Sequence, residues 1–299
     1  ANRLKELLEL AHRIKTDQRA YHNSLERKTL AMIFEKRSTR TRVSFEVGMY
    51  QLGGAALFLS SQDIQIGRGE TIADTARVLA RYCDGIMARV YGHETLVELA
   101  RWATIPVING LSDLLHPCQT VADAMTLVEH WSPVGTFDVS VLRGRKLTYI
   151  GDGNNMAHSL LYTGALLGFH VTIVAPQGYQ PDPAVLAAAQ TIAASTGTRL
   201  EVTDDTDGVV GSDCVYTDVW ASMGQEEQRE QRLRDLSGYQ VDADLMSRAN
   251  DDAVFMHCLP AHRGEEVSAE VCDGPQSIIF DEAENRLHAQ KALLVDLMG

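Results

Sequence analysis

The stretch Glu35-Lys36-Arg37-Ser38-Thr39-Arg40-Thr41-Arg42 sets four cations and three hydroxyls within eight residues. Guanidinium forks match phosphate oxygens bidentately. Ser38 or Thr39 can cap a following helix, whose exposed N–H groups and dipole favour an anion. The glycines of a Walker loop are absent, so this is an anion cradle of another kind. A capped surface helix with solvated charges is the plainer alternative, and hydroxyls interleaved with Arg at a strand-to-helix turn favour the cradle. Further along, Arg89 ends an apolar run, and His116-Pro117-Cys118-Gln119 follows another. His116 and Gln119, three apart at a helix start, can aim together at one carbonyl oxygen or amide. Taken alone, His116 reads as a structural or surface histidine; beside an anion cradle in the same sheet it reads as functional.

The second half offers different chemistry. Asp218 can pair with a substrate ammonium, or serve as a helix cap or solvated loop residue. Cys258 invites a nucleophile reading, which needs a base and a thiolate environment. Its neighbour His257 points to the opposite face of a strand. Zinc wants a spaced Cys/His set, and His116, Cys118, His257, Cys258 and His262 show no familiar spacing. Gly151-Asp-Gly-Asn-Asn-Met156 follows a strand and suggests a dinucleotide. Met156 replaces the third glycine, however, and the next strand ends in Ala175-Pro176 with no acid for a ribose.

Parallel α/β architecture would position such groups, because ligands bind beyond the carboxyl ends of parallel strands. Apolar runs at 29–34, 55–59, 85–90 and 105–108 alternate with helical patterns at 43–51, 72–82 and 96–102, after a first helix at 1–15. A helix at 119–130 leads to a junction at 132–137, rich in Ser, Pro, Gly and Thr. A second series has strands at 146–150, 171–174, 214–217, 253–256 and 277–280, with helices at 157–167 and 184–195. An amphipathic helix at 286–298 closes the chain. The expected fold class is α/β: two doubly wound domains, each a mostly parallel sheet flanked by helices, with the C-terminal helix packing back on the first.

The chain has 299 residues, with 27 Lys+Arg against 40 Asp+Glu for a net charge of −13. That is ample for two domains with buried cores. No uninterrupted apolar run reaches the length of a membrane span. The acidic sum without a basic tract argues against a sequence-blind nucleic-acid or membrane-surface binder. The charge is uneven: residues 1–130 hold 16 basic and 15 acidic side chains, and the remainder 11 and 25. Five cysteines without a CxxC pair read as free thiols in a reducing compartment. The expectation is cytoplasm, or mitochondrial matrix if the source is eukaryotic.

Ser38-Thr-Arg-Thr-Arg42, His116-Pro-Cys-Gln119, Asp218-Val-Trp-Ala-Ser-Met-Gly224 and His257-Cys-Leu-Pro260 occur in this order across about 220 residues. In this set the chain resembles the transcarbamoylase superfamily and, within it, the ornithine carbamoyltransferases. The resemblance covers essentially the whole chain.

It implies a carbamoyl-phosphate-binding domain over 1–131, completed by the helix 286–299, and an ornithine-binding domain over 132–285. Ser38, Thr39, Arg40 and Thr41 would hold the phosphate, and Arg89, His116 and Gln119 the carbamoyl end. Arg286 would return to the same site. Cys258 would lie beside the reactive δ-amine, with the Leu259 backbone near carbamoyl phosphate. Asn155, Asp218, Ser222 and Met223 would hold the α-amino and carboxylate groups of ornithine. The loop 60–70 resembles one that reaches a neighbouring subunit, where Gln65 touches carbamoyl phosphate, and the implied assembly is a homotrimer. No metal or organic cofactor is implied. The reaction would give citrulline and phosphate, with arginine biosynthesis as the expected setting. Transcarbamoylases that use putrescine or N-acylated ornithine are the nearest alternatives.

Overall fold

A computed structural model of the chain describes residues 1–62, 64–66, 69–221 and 226–299. The first part runs α1 (Asn2–Thr16), β1 (Thr29–Phe34), α2 (Thr39–Gln51), β2 (Ala55–Ser60), α3 (Ile72–Tyr82), β3 (Gly85–Arg89), α4 (His93–Trp102), β4 (Val107–Leu111) and α5 (Pro117–Trp131). It continues with β5 (Lys146–Ile150), α6 (Asn155–Leu167), β6 (His170–Val174), α7 (Pro183–Ala193), β7 (Leu200–Thr203) and β8 (Cys214–Thr217). Then come α8 (Arg229–Asp235), α9 (Ala243–Met246), β9 (Val254–His257), α10 (Ala269–Cys272) and α11 (Ile279–Met298). Two compact units result, residues 2–125 with 284–299, and residues 126–283.

In the first unit the described strands form a parallel sheet in the order β2-β1-β3-β4. β1 shows why its sequence is an unbroken apolar run. Leu30, Met32 and Phe34 face one core layer with Phe45, Met49, Leu294 and Met298. Ala31 and Ile33 face the opposite layer with Ala76, Ile86, Ala88 and Leu99. A strand covered on both faces carries no polar alternation. In register, Phe34 pairs with Arg89, and Arg89 with Leu111 after a shift at Ala88/Arg89. The three strands therefore end level, and the turns that follow them carry the Arg-rich cap and His116.

The second unit has a parallel sheet in the order β7-β6-β5-β8-β9. Ile150 pairs with Thr217, and Thr217 with His257. Gly151, Asp218 and Cys258 each come next in the chain, so this sheet too gathers its polar outliers at one edge. Ile150, Val174, Val215, Phe255 and Ile279 share the core on one side.

The run 277–280 is not a strand. Ser277 makes an isolated bridge to Phe255, and helix α11 starts at Ile279. Ile278 and Ile279 are buried while Phe280 is 70% exposed, so the apolar run breaks at the helix start. The strand expected at 105–108 lies instead at Val107–Leu111, and β7 was not anticipated.

Candidate active site

In the first unit, Ser38 caps α2: its Oγ accepts from Thr41 N at 3.2 Å. Thr39 is exposed, Arg40 is half-buried and Thr41 is buried. The neighbouring cations divide by environment. Arg42 turns along the helix to Glu46 at 3.0 Å and lies over the Phe58 ring, and Lys36 lies over Tyr91. Arg37 is exposed.

Arg286, on α11 and 3% exposed, faces neutral acceptors. Its Nη1 donates to Gln119 Oε1 at 2.6 Å and its Nη2 to Thr41 Oγ1 at 3.3 Å. Gln290 accepts from Arg286 Nε at 3.1 Å and Nη2 at 2.7 Å when its amide is oriented to donate to Ser44 Oγ. Gln119 Nε2 donates to Asp123 Oδ1 at 2.8 Å, which fixes the amide with its oxygen toward Arg286. Arg89 is buried at the end of β3 and His116 is buried just before α5. Burial, then the charges of Arg286 and Arg89, push His116 well below the ordinary imidazole range, so the ring is neutral at pH 7. Two buried guanidiniums and a neutral imidazole make a site that favours an anion. Cys118 Sγ donates to Asn109 O, and burial pushes its thiol up to about 11. Gln65 is exposed.

In the second unit the β8 and β9 ends meet. Cys258 Sγ donates to Asp218 Oδ1 at 3.0 Å, and Val219 N donates to the same oxygen at 2.8 Å. Asn154 Nδ2 donates to Asp218 Oδ2 at 3.3 Å. Asn154 also caps α6 through Met156 N, which places Asn155 in the first helical turn. The loop that carries these amides passes close to another segment: a Cβ on Gly153 would lie 2.4 Å from Pro181 N. Glycine is required there by close approach, not by a dinucleotide. Asp152 pairs with Arg232 at 2.6 Å, and Arg232 also donates to Trp220 O. Burial raises the Asp152 carboxyl despite that partner. Donor atoms of Asp218, His257 and Cys258 lie within 4.8 Å of one another, as do those of His262, Glu265 and Glu266. In the first group the thiol donates to Asp218, and His257 Nδ1 accepts from Leu259 N. Ser222, Met223 and Gly224 lie outside the described residues.

Residues 1–129 match the family model described as the carbamoyl-P binding domain of aspartate/ornithine carbamoyltransferase, and residues 143–297 match its Asp/Orn binding domain. The chain belongs to the aspartate/ornithine carbamoyltransferase family. It is 59% identical over 299 residues to an ornithine carbamoyltransferase of Symbiobacterium thermophilum, covering 99% of this chain and 94% of that protein. The solved ornithine carbamoyltransferase of Pyrococcus furiosus superposes with TM-score 0.93 at 53% identity, over 100% of this chain and 94% of that one. An acetylornithine transcarbamylase complexed with acetylcitrulline superposes with TM-score 0.87 at 32% identity, over 100% and 96%.

Within this carbamoyltransferase, sequence reasoning missed several participants. Asn154 hydrogen-bonds to Asp218, and Asn154-Asn155 at a helix start could have signalled a cap. Asp123 lies four residues after Gln119, a spacing that places both on one helix face. Gln290 follows Arg286 by the same interval, and that signal was available too. No helix among the described residues is long and apolar enough to cross a membrane.

Proposed function

We propose that this carbamoyltransferase transfers the carbamoyl group of carbamoyl phosphate to the δ-amine of L-ornithine, giving L-citrulline and phosphate. The observation that carries the acceptor assignment is the Asp218 carboxylate held between Cys258 Sγ and Asn154 Nδ2. An anionic, hydrogen-bonded oxygen pair suits the ammonium of an amino acid. Aspartate as acceptor would bring an extra carboxylate and want a further cation, whereas Arg232 already pairs with Asp152. Putrescine would leave Asn155, Asp218, Ser222 and Met223 without an α-amino acid to hold, and an N-acylated amine would match Asp218 poorly. Curated relatives at 52–59% identity that carry the ornithine name support the same reading.

In this assignment the domain over 1–131 with 286–299 binds carbamoyl phosphate, and 132–285 binds ornithine. Ser38, Thr39, Arg40 and Thr41 take the phosphate with Arg286. Arg89, His116 and Gln119 take the carbamoyl end, to which Cys258 and Leu259 are also assigned. The neutral δ-amine attacks the carbonyl carbon, and Arg89, His116 and the Thr41 hydroxyl stabilise the oxyanion. Such preorganised donors are worth about 3–4 kcal/mol each where they have been removed in other enzymes. The C–O bond to phosphate then breaks, and a phosphate oxygen accepts the proton lost by nitrogen. Neutral His116 suits this role because it donates a hydrogen bond without an ion's desolvation cost.

We assign a homotrimer in which Gln65 serves the neighbouring subunit's carbamoyl phosphate. Tyr50 and Val43 on α2 and Leu57 on edge strand β2 are 82%, 50% and 47% exposed, apolar side chains that association would bury. The cytoplasm is the assigned compartment, where the five free cysteines stay reduced. A colorimetric citrulline assay with ornithine, N-acetylornithine, putrescine and aspartate tests the acceptor. Turnover confined to ornithine supports the proposal, and preference for another amine overturns it. Light scattering on the purified chain tests the trimer.

A further inference from the structure

His257 has no catalytic part in the scheme above, yet it is 0% exposed at the end of β9, one residue before Cys258. The next residue but one, Leu259, has φ +58. A left-handed backbone at a residue other than glycine is strained and persists only when its surroundings hold it. Leu259 N donates to His257 Nδ1 at 2.9 Å. That bond identifies the ring tautomer. An N–H can only donate to a nitrogen with a free lone pair, so the imidazole hydrogen sits on Nε2.

Nε2 lies 3.2 Å from Glu266 Oε1, and Glu266 is also 0% exposed. The same oxygen accepts from His262 N at 2.5 Å. Burial alone would raise the Glu266 carboxyl, but hydrogen bonds from His257 and from the His262 and Glu266 backbone together hold it below the usual range. The His257 backbone is fixed as well: its N–H donates to Glu282 Oε2 at 3.0 Å, and Glu282 Oε1 accepts from Tyr216 Oη at 3.0 Å. Both ring nitrogens of His257 are therefore engaged away from the Cys258 thiol, which excludes His257 as its base.

We propose that Glu266 and His257 are positioning residues, a relay in which Glu266 fixes the Nε2–H tautomer and His257 Nδ1 holds the Leu259 amide, so that Cys258 is presented to Asp218. A carboxylate behind an imidazole sets both its tautomer and its orientation. Here the imidazole grips a backbone N–H in place of a metal or a nucleophile. The chemistry served is acceptor binding, so this inference rests on the function proposed above.

Two measurements test it. A neutron structure of the wild-type chain locates the ring hydrogen of His257. Hydrogen on Nε2 alone is expected, and hydrogen on Nδ1 overturns the relay whatever the acceptor proves to be. The second compares variants. Glu266→Gln keeps an oxygen that accepts from Nε2–H, and Glu266→Leu removes it. A misplaced reacting group costs on the order of 100-fold. Glu266→Leu should therefore lower kcat with ornithine at least about 10-fold, with Glu266→Gln within about 3-fold of wild type. Equal losses in the two variants overturn the positioning role. If Glu266→Leu does not fold, His257→Asn replaces it: the Asn oxygen sits where Nδ1 sits and still accepts from Leu259 N. His257→Asn should then retain more activity than His257→Gln, and the reverse order overturns the relay. A wild-type chain that carbamoylates an amine other than ornithine overturns the acceptor assignment only, because the neutron result is read independently.

Discussion

Replacing Arg286 by Met tests the charge arrangement of the first domain. The guanidinium has five N–H bonds. Gln119, Thr41 and Gln290 take four of them, through the contacts at 2.6, 3.3, 3.1 and 2.7 Å. One Nη1–H is left to donate to bound carbamoyl phosphate. A hydrogen bond to a charged group contributes about 1.5–3 kcal/mol. At 1.4 kcal/mol per factor of ten, the dissociation constant should rise about 10- to 100-fold. Met has similar length and fills the buried space, but Gln119 and Gln290 lose a donor, so the melting temperature should also fall. Arg286 is the second cause of the low His116 pKa, after burial. The variant should therefore bring His116 back toward its ordinary value and move the acid limb of the pH–rate profile to higher pH. Calorimetric titration with carbamoyl phosphate alone, followed by a pH–rate profile, measures both effects. Unchanged affinity, or an acid limb displaced to lower pH, would rule out a role for the Arg286 charge in binding the anion and in holding His116 neutral.

Asp218→Asn should raise the KM for ornithine about 30- to 100-fold, since it removes one charge of a hydrogen-bonded pair worth roughly 2–3 kcal/mol. Carbamoyl phosphate affinity in the same variant should not change, and calorimetry checks both halves of the statement. His116 has a folded pKa below its ordinary 6.5, so unfolding takes up a proton in acid and stability falls as pH drops through and below about 6.5. His116→Gln should flatten that part of the stability–pH curve, as measured by denaturant midpoints between pH 5 and 8. Iodoacetamide should modify Cys258, which is half-buried, before Cys118, whose thiol is pushed up to about 11. Norvaline with carbamoyl phosphate should slow the Cys258 reaction, and mass spectrometry of the labelled peptides reads the order.

The sequence showed most clearly those elements whose burial is symmetric. β1, β3, β5 and β8 are buried along nearly their whole length, and β1 in particular reads as a continuous apolar run from Leu30 to Phe34. β7 escaped notice because only Leu200 of its four residues is buried. The run 277–280 misled because a helix start and a strand share the same few apolar residues, and only length separates them. At the site, the cap at Ser38 and the carboxyl-end positions of Arg89 and Asp218 followed from residue type and spacing. The support behind them did not. Glu266 reaches His257 across nine positions, and Arg286 reaches Thr41 across 245. Such contacts exist only after the chain has folded, and no local pattern announces them. Within the basic cluster, Arg42 finds Glu46 and the Phe58 ring, and Lys36 finds Tyr91, contacts that the sequence alone did not show.

Transfer of the carbamoyl group to the δ-nitrogen of ornithine can be followed by carbon-13 NMR of the product formed from carbonyl-labelled carbamoyl phosphate and δ-nitrogen-15-labelled L-ornithine. One ureido carbon signal split by coupling to the labelled δ-nitrogen, growing in step with released phosphate, is the expected result. A labelled carbon bonded to the α-nitrogen, or phosphate release with no coupled carbon signal, would contradict it.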